Sequence, residues 1–110
     1  MASTQLQFGH QSYSQRELEI VCALSYWLGK SDETIGTILG AKRYGIGGRP
    51  IPCAGLFAFL QRNSHAVYRR VTNDGARWEP EARRIYQDWM GSVSQMAQSL
   101  NRRGQLYNRI

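Results

Sequence analysis

Apolar residues recur at three- and four-residue spacing along most of the chain, and that period predicts helices. Ser14 followed by Glu17 makes a capping-box pattern ahead of Leu18, Val21, Cys22 and Leu28, with Ile20, Leu24 and Trp27 broadening the stripe. A largely buried first helix is expected, closed near Gly29, where glycine takes the left-handed conformation that ends helices. Ser31 is the next cap, with Asp32 and Glu33 in the first turn, where the helix dipole favours negative charge. Ile35, Ile38 and Leu39 then predict a short second helix ending at Gly40. Residues 40–52 hold four glycines and two prolines, a composition that predicts a long loop. Cys53, Leu56, Phe57 and Leu60 restore helical spacing for a third helix. Asn63 and Ser64 leave open whether Ala66, Val67 and Val71 extend that helix or begin another.

The last segment is the most regular. Asn73-Asp74-Gly75 reads as a helix-ending turn, and Pro80 suits the first position of a new helix. Ala82, Tyr86, Trp89, Val93, Met96 and Leu100 then recur at spacings of 4, 3, 4, 3 and 4, a heptad-like seam running to about Asn101. Ile85, Met90 and Ala97 widen the stripe, so two readings stand: a terminal helix laid across its own domain, or a coiled-coil dimer. Residues 1–13 are polar with little apolar period and read as a flexible arm in which Phe8 and Tyr13 dock locally; residues 102–110 read as a tail. The expected fold is all-α, a single domain of four or five helices over residues 14–101 with a long amphipathic C-terminal helix.

Composition agrees with one domain. A chain of 110 residues supports one core, and 42% hydrophobic with 20% charged residues is ordinary globular usage. No apolar run approaches the roughly 20 residues of a membrane span, and the start lacks a signal-peptide core, so a soluble intracellular protein is expected, nuclear in a eukaryote, nucleoid-associated or cytoplasmic in a prokaryote or phage. Cys22 and Cys53 lie in separate apolar patterns without metal-ligand spacing and read as reduced core thiols.

Charge changes the picture more. The net charge is +6, and residues 34–73 carry six bases (Lys42, Arg43, Arg49, Arg62, Arg69, Arg70) and no acid, while the rest holds eight bases against eight acids. A region of one sign marks a surface for polyanions, and an arginine excess suits bidentate phosphate or guanine contact.

Gly29-Lys30-Ser31-Asp32-Glu33-Thr34-Ile35, continued by Ile38-Leu39-Gly40, resembles the G-x-S-x-x-x-I-a-x-x-L-G segment of homeodomain-like and Myb-like helix-turn-helix proteins. The resemblance covers about residues 14–63. It implies a helix-turn-helix-like core whose third helix is offered to the DNA major groove. The chain departs from the family in placing about 12 residues between the second and third helices, and in a strongly apolar third helix. Only Gln61, Arg62 and Asn63 stand there as polar readers of base edges. Gly48-Arg49-Pro50 resembles part of an AT-hook, in which an extended arginine enters a narrow minor groove, although glycine stands at 47 where an arginine belongs. The bland alternative for the tripeptide is a loop with one exposed arginine.

Enzyme chemistry has little to stand on. His10 and His65 have no nucleophile or acid at triad-like spacing, and the carboxylate pairs Asp32 with Glu33 and Glu79 with Glu81 lie at helix starts, where capping explains them. No nucleotide-binding loop is formed by residues 45–48, since no strand precedes them and no Gly-Lys-Ser/Thr follows. Neither a cofactor nor a metal is expected. The leading expectation is a nucleic-acid-binding module, for duplex DNA, of a transcriptional or chromatin-associated regulator, gripping phosphate through the six central bases while Tyr44 and Tyr68 stack on sugar or base. The alternative is a protein-interaction module or homodimer using the C-terminal helix, with Trp89, Val93, Met96 and Leu100 as its contact residues, since Trp, Tyr and Arg are favoured in interface hot spots.

Overall fold

The computed structural model describes residues 5–107, and the side chains of residues 5–100. A two-stranded antiparallel hairpin, β1 (Leu6–Phe8) and β2 (Gln11–Tyr13), precedes five helices: α1 (Gln15–Leu28), α2 (Asp32–Tyr44), α3 (Leu56–Arg62), α4 (Ala66–Thr72) and α5 (Gly75–Tyr107). The product is a small, mostly helical domain with a long C-terminal helix. No helix among the described residues is long and apolar enough to cross a membrane.

α1 is the centre of the molecule. Ser14 and Glu17 form the full capping box, and Gly29 closes the helix in the left-handed region at φ 62°. Leu18, Ile20, Val21, Cys22, Ala23 and Leu24 are all buried, so the middle of the helix is covered on every side. The other helices and β2 pack around it, α5 and α4 most extensively. Trp27 ties three of them: its indole N–H donates to the Val71 carbonyl at 3.0 Å, and its ring lies where a Cβ on Gly75 would stand, 2.7 Å away. Cys22 and Cys53 are buried free thiols, and burial pushes them up to about 12 and about 11. Both therefore stay protonated at neutral pH.

Four boundaries differ from the sequence expectation. The hairpin replaces a flexible arm over residues 6–13, because Tyr13 is wholly buried, its hydroxyl donates to the Pro52 carbonyl, and Phe8 packs on Phe59 with ring centroids 5.3 Å apart. Residues 1–4 of that arm lie outside the described residues. α2 does not stop at Gly40 but runs to Tyr44, with Gly45 taking the cap. Gly36 and Gly40 serve a different purpose: Cβ atoms there would sit 2.5 Å from the Ile51 carbonyl oxygen and 2.3 Å from that of Arg49. One glycine per turn thus lets the returning chain lie directly on α2, where Ile51 N–H donates to the Gly36 carbonyl at 3.0 Å.

Residues 53–72 resolve into two helices, separated where Ser64 takes φ 48° and His65 caps α4 by accepting the Val67 N–H. The last helix starts five residues before Pro80, because Asp74 caps it by accepting the Arg77 N–H, and the proline is carried inside the second turn. At its other end the helix continues to Tyr107 through most of the expected tail; residues 108–110 lie outside the described part. At 33 residues α5 is about 50 Å long and gives the molecule its 61 Å axis.

Candidate interaction groove

The six central bases do not act as one group. Lys42 and Arg43 stand on the last turn of α2, Arg49 in the loop after it, Arg62 at the end of α3, and Arg69 and Arg70 on α4. Arg43 is taken into the fold: its guanidinium grips both Glu17 carboxylate oxygens at 2.8 and 3.0 Å and donates to the Ser12 carbonyl at 2.9 Å. Burial alone would raise the Glu17 carboxyl, but hydrogen bonds from Arg43 and Ser14 outweigh it and hold the group below the usual carboxylate range. Arg70 pairs with Glu19 at 2.9 Å. Glu17 and Glu19 are two residues apart, about 200° around α1, so these two arginines lie on opposite sides of it. Lys42, Arg49, Arg62 and Arg69 are exposed and join no ion pair among the described residues.

Residues 48–50 are held against the fold. Gly48 N–H closes a turn on the Gly45 carbonyl at 2.9 Å, and the backbone at Arg49 is pressed on Gly40. The backbone that carries the AT-hook likeness is thus packed on α2, and the Arg49 side chain is presented outward.

That loop meets the C-terminal seam. Gly47, at φ 87°, lies so close to α5 that a Cβ there would come within 3.1 Å of the Met96 methyl. Between them runs a groove of about 320 Å³, with Thr37, Ala41 and the loop backbone at Gly47 and Gly48 on one wall, and Trp89, Val93, Met96 and Leu100 on the other. Ala41, Ile46 and Trp89 also line an adjoining hollow of about 250 Å³, which Lys42 and Asp88 edge. Two features far apart in sequence, the Gly-rich basic loop and the seam, are thus two walls of one surface.

The seam divides along its length. Ala82 and Ile85 are buried, and Tyr86 and Trp89 pack partly against the core. Lys30 covers Tyr86 further, with its ammonium 4.0 Å from the ring centroid. Beyond Trp89 the covering thins: Val93 is 38% exposed, Met96 41% and Leu100 54%, with Met90 beside them at 43%. Only Tyr26 and Tyr44 among the described residues are comparably exposed large apolar side chains. Residues 90–101 contain no charged residue.

The remaining candidates are occupied by structural work. Another hollow, about 390 Å³, lies beside α2 between Asp32, Gly36 and residues 50–54. Its Asp32 carboxylate accepts the Gly55 N–H at 3.1 Å, and its Cys53 thiol donates to the Asp32 carbonyl at 3.2 Å. Glu79 pairs with Arg83, and Glu81 with both Arg16 and Arg84. Among the described residues no three side chains of metal-ligating type converge. No family model, curated protein or solved structure matches the chain.

Proposed function

We propose that this protein is a protein-docking module that receives an apolar helical segment in the groove between α2, its Gly-rich loop and the C-terminal half of α5. The observation that carries this reading is the exposed row Val93, Met96 and Leu100 on a charge-free stretch, facing a wall of glycine backbone. Leaving such a row in water forgoes roughly 25 cal/mol per Å² of apolar surface, which a partner recovers on docking. Glycine in the loop removes side chains that would otherwise fill the gap, so the wall accepts an incoming one.

The test places a photo-crosslinking benzoylphenylalanine at Val93, and as a control at the exposed Gln87, in cells that make the protein. Docking predicts discrete protein adducts from position 93 and none from 87. Adducts of equal pattern from both positions, or from neither, would remove the reading.

A second reading, duplex DNA binding in a transcriptional or chromatin setting, draws support from Lys42, Arg49, Arg62 and Arg69, which stay exposed without an ion pair among the described residues. Fluorescence anisotropy with a labelled duplex tests it. Binding at low salt that falls steeply as salt rises supports it, and no binding at low salt ends it.

A further inference from the structure

We infer that the segment received in this groove is the α5 helix of a second copy of the chain, an assignment that rests on the docking reading above. Five features of α5 lead to it.

The seam is continuous: its first half is already engaged with the core, and its second half, Val93, Met96 and Leu100, repeats the same 4 and 3 spacing but lines an open groove and stays partly exposed. A row of this period is complementary to another helix with the same row, knobs of one filling gaps of the other.

The flanking positions fit a copy better than a foreign partner. With Trp89 and Met96 at d and Val93 and Leu100 at a, the e and g positions are Met90, Ser92, Ala97 and Ser99. None carries charge. In a two-fold pair, identical residues or their neighbours face each other, so any charge there would meet like charge; an uncharged flank avoids that penalty. For a chain of net charge +6 this matters, since a face carrying Lys42, Arg49, Arg62 or Arg69 would bring exposed bases against bases. A partner chosen by opposite charge would call for a signed flank, and this one has no sign.

Small residues also let the helices approach. Ser92 and Ser99 on one side, and Ala97 beyond Met90 on the other, keep the flank low beside the apolar row. Outside, Ser94, Gln95 and Gln98 are polar but uncharged, so the stretch lacks the lysine and arginine face with which surface helices hold anionic lipid. From Met90 to Leu100 the helix runs about 16 Å, about three turns of contact, and the row ends there because Arg103 stands at the next seam position. An interface of that length is small, so a weak, concentration-dependent dimer follows.

Sedimentation equilibrium of the full chain tests this between concentrations on the order of 1 μM and 1 mM. The weight-average mass is expected to rise from one 12.6 kDa chain toward two. Added sodium chloride is expected to strengthen the association, because it screens repulsion between two positive chains; binding to nucleic acid would respond in the opposite sense. The double variant Val93→Glu with Leu100→Glu is expected to stay at one chain throughout. Because those changes touch the seam itself, a second variant, Ser92→Arg with Ser99→Arg, leaves the apolar row intact and alters only the flank. It is expected to weaken association at least about tenfold, roughly 1.4 kcal/mol, with unchanged helical circular dichroism. Wild-type protein that stays at one chain across the range, or flank variants that associate as well as wild type, overturns the assignment. If the wild type is monomeric while position 93 still crosslinks to a different protein, self-pairing falls and the docking reading stands.

Discussion

Up to Trp89 and beyond it, α5 carries one apolar spacing but meets two different surroundings. In the first stretch Trp78, Ala82 and Ile85 are wholly buried against α1 and its neighbours; in the second, Val93, Met96 and Leu100 are between a third and just over a half exposed. The lesson is physical. A 3- and 4-residue period states that a helix has an apolar face, whereas burial depends on whether another element is long enough to cover it. α1 holds 14 residues and α5 33, so the longer helix runs past the body.

The largest effect should separate the two stretches. Trp78→Ala removes a buried indole and is expected to cost about 3–5 kcal/mol in urea unfolding, while Val93→Ala or Leu100→Ala in dilute protein should stay within about 0.5 kcal/mol. Comparable losses at both ends would mean that the monomer's core extends to Leu100.

Next comes the wall opposite the seam. Gly36→Ala would drive a methyl into the Ile51 carbonyl, 2.5 Å from the position of its Cβ, and α2 or the returning chain must shift. A loss of about 1–3 kcal/mol is expected, with residues 46–48 displaced from Met96 and weakened docking. Unchanged stability would show that the returning chain does not bear on α2.

The ion pair at the other end of the loop sharpens what the bases do. Arg43→Ala is expected to cost about 1–2 kcal/mol at neutral pH, since it frees a partly buried carboxylate, whereas Lys42→Gln and Arg49→Gln should change stability by less than about 0.5 kcal/mol. The pH dependence has a definite sign. The Glu17 carboxyl is lowered in the folded state, so its contribution is full above its ordinary value of 4.5 and is lost as pH falls through the depressed native value. The stability gap between wild type and Glu17→Gln should therefore close on acidification; a gap that widens in acid would contradict the pairing.

Much of the fold could be read from local signals. Ser14, Glu17 and Gly29 bound α1 as expected because caps are local chemistry, and α5 was legible from its period. Gly40 was misleading: glycine marks both helix ends and places of close approach, and only the returning chain at Arg49 shows which applies. The hairpin escaped because three-residue strands give too little alternation, and what holds Tyr13 is the distant Pro52 carbonyl. The candidate site was visible as two separate pieces. Lys42 and Arg49 stood out as charge, and Trp89 to Leu100 as a seam, but their meeting at Gly47 and Met96 depends on α2 and α5 lying side by side. The fate of Arg43 and Arg70 was hidden in the same way, since an acid-free stretch of sequence is not acid-free in space once Glu17 and Glu19 come against it.

The most direct test of an uncovered seam is amide hydrogen exchange along α5, read by mass spectrometry at several protein concentrations. In dilute protein, residues 90–100 should exchange far faster than residues 78–89, and should slow as concentration rises and the groove fills. Equal protection of both stretches in dilute protein, unchanged with concentration, would show that the seam is already covered within one chain and would contradict the account.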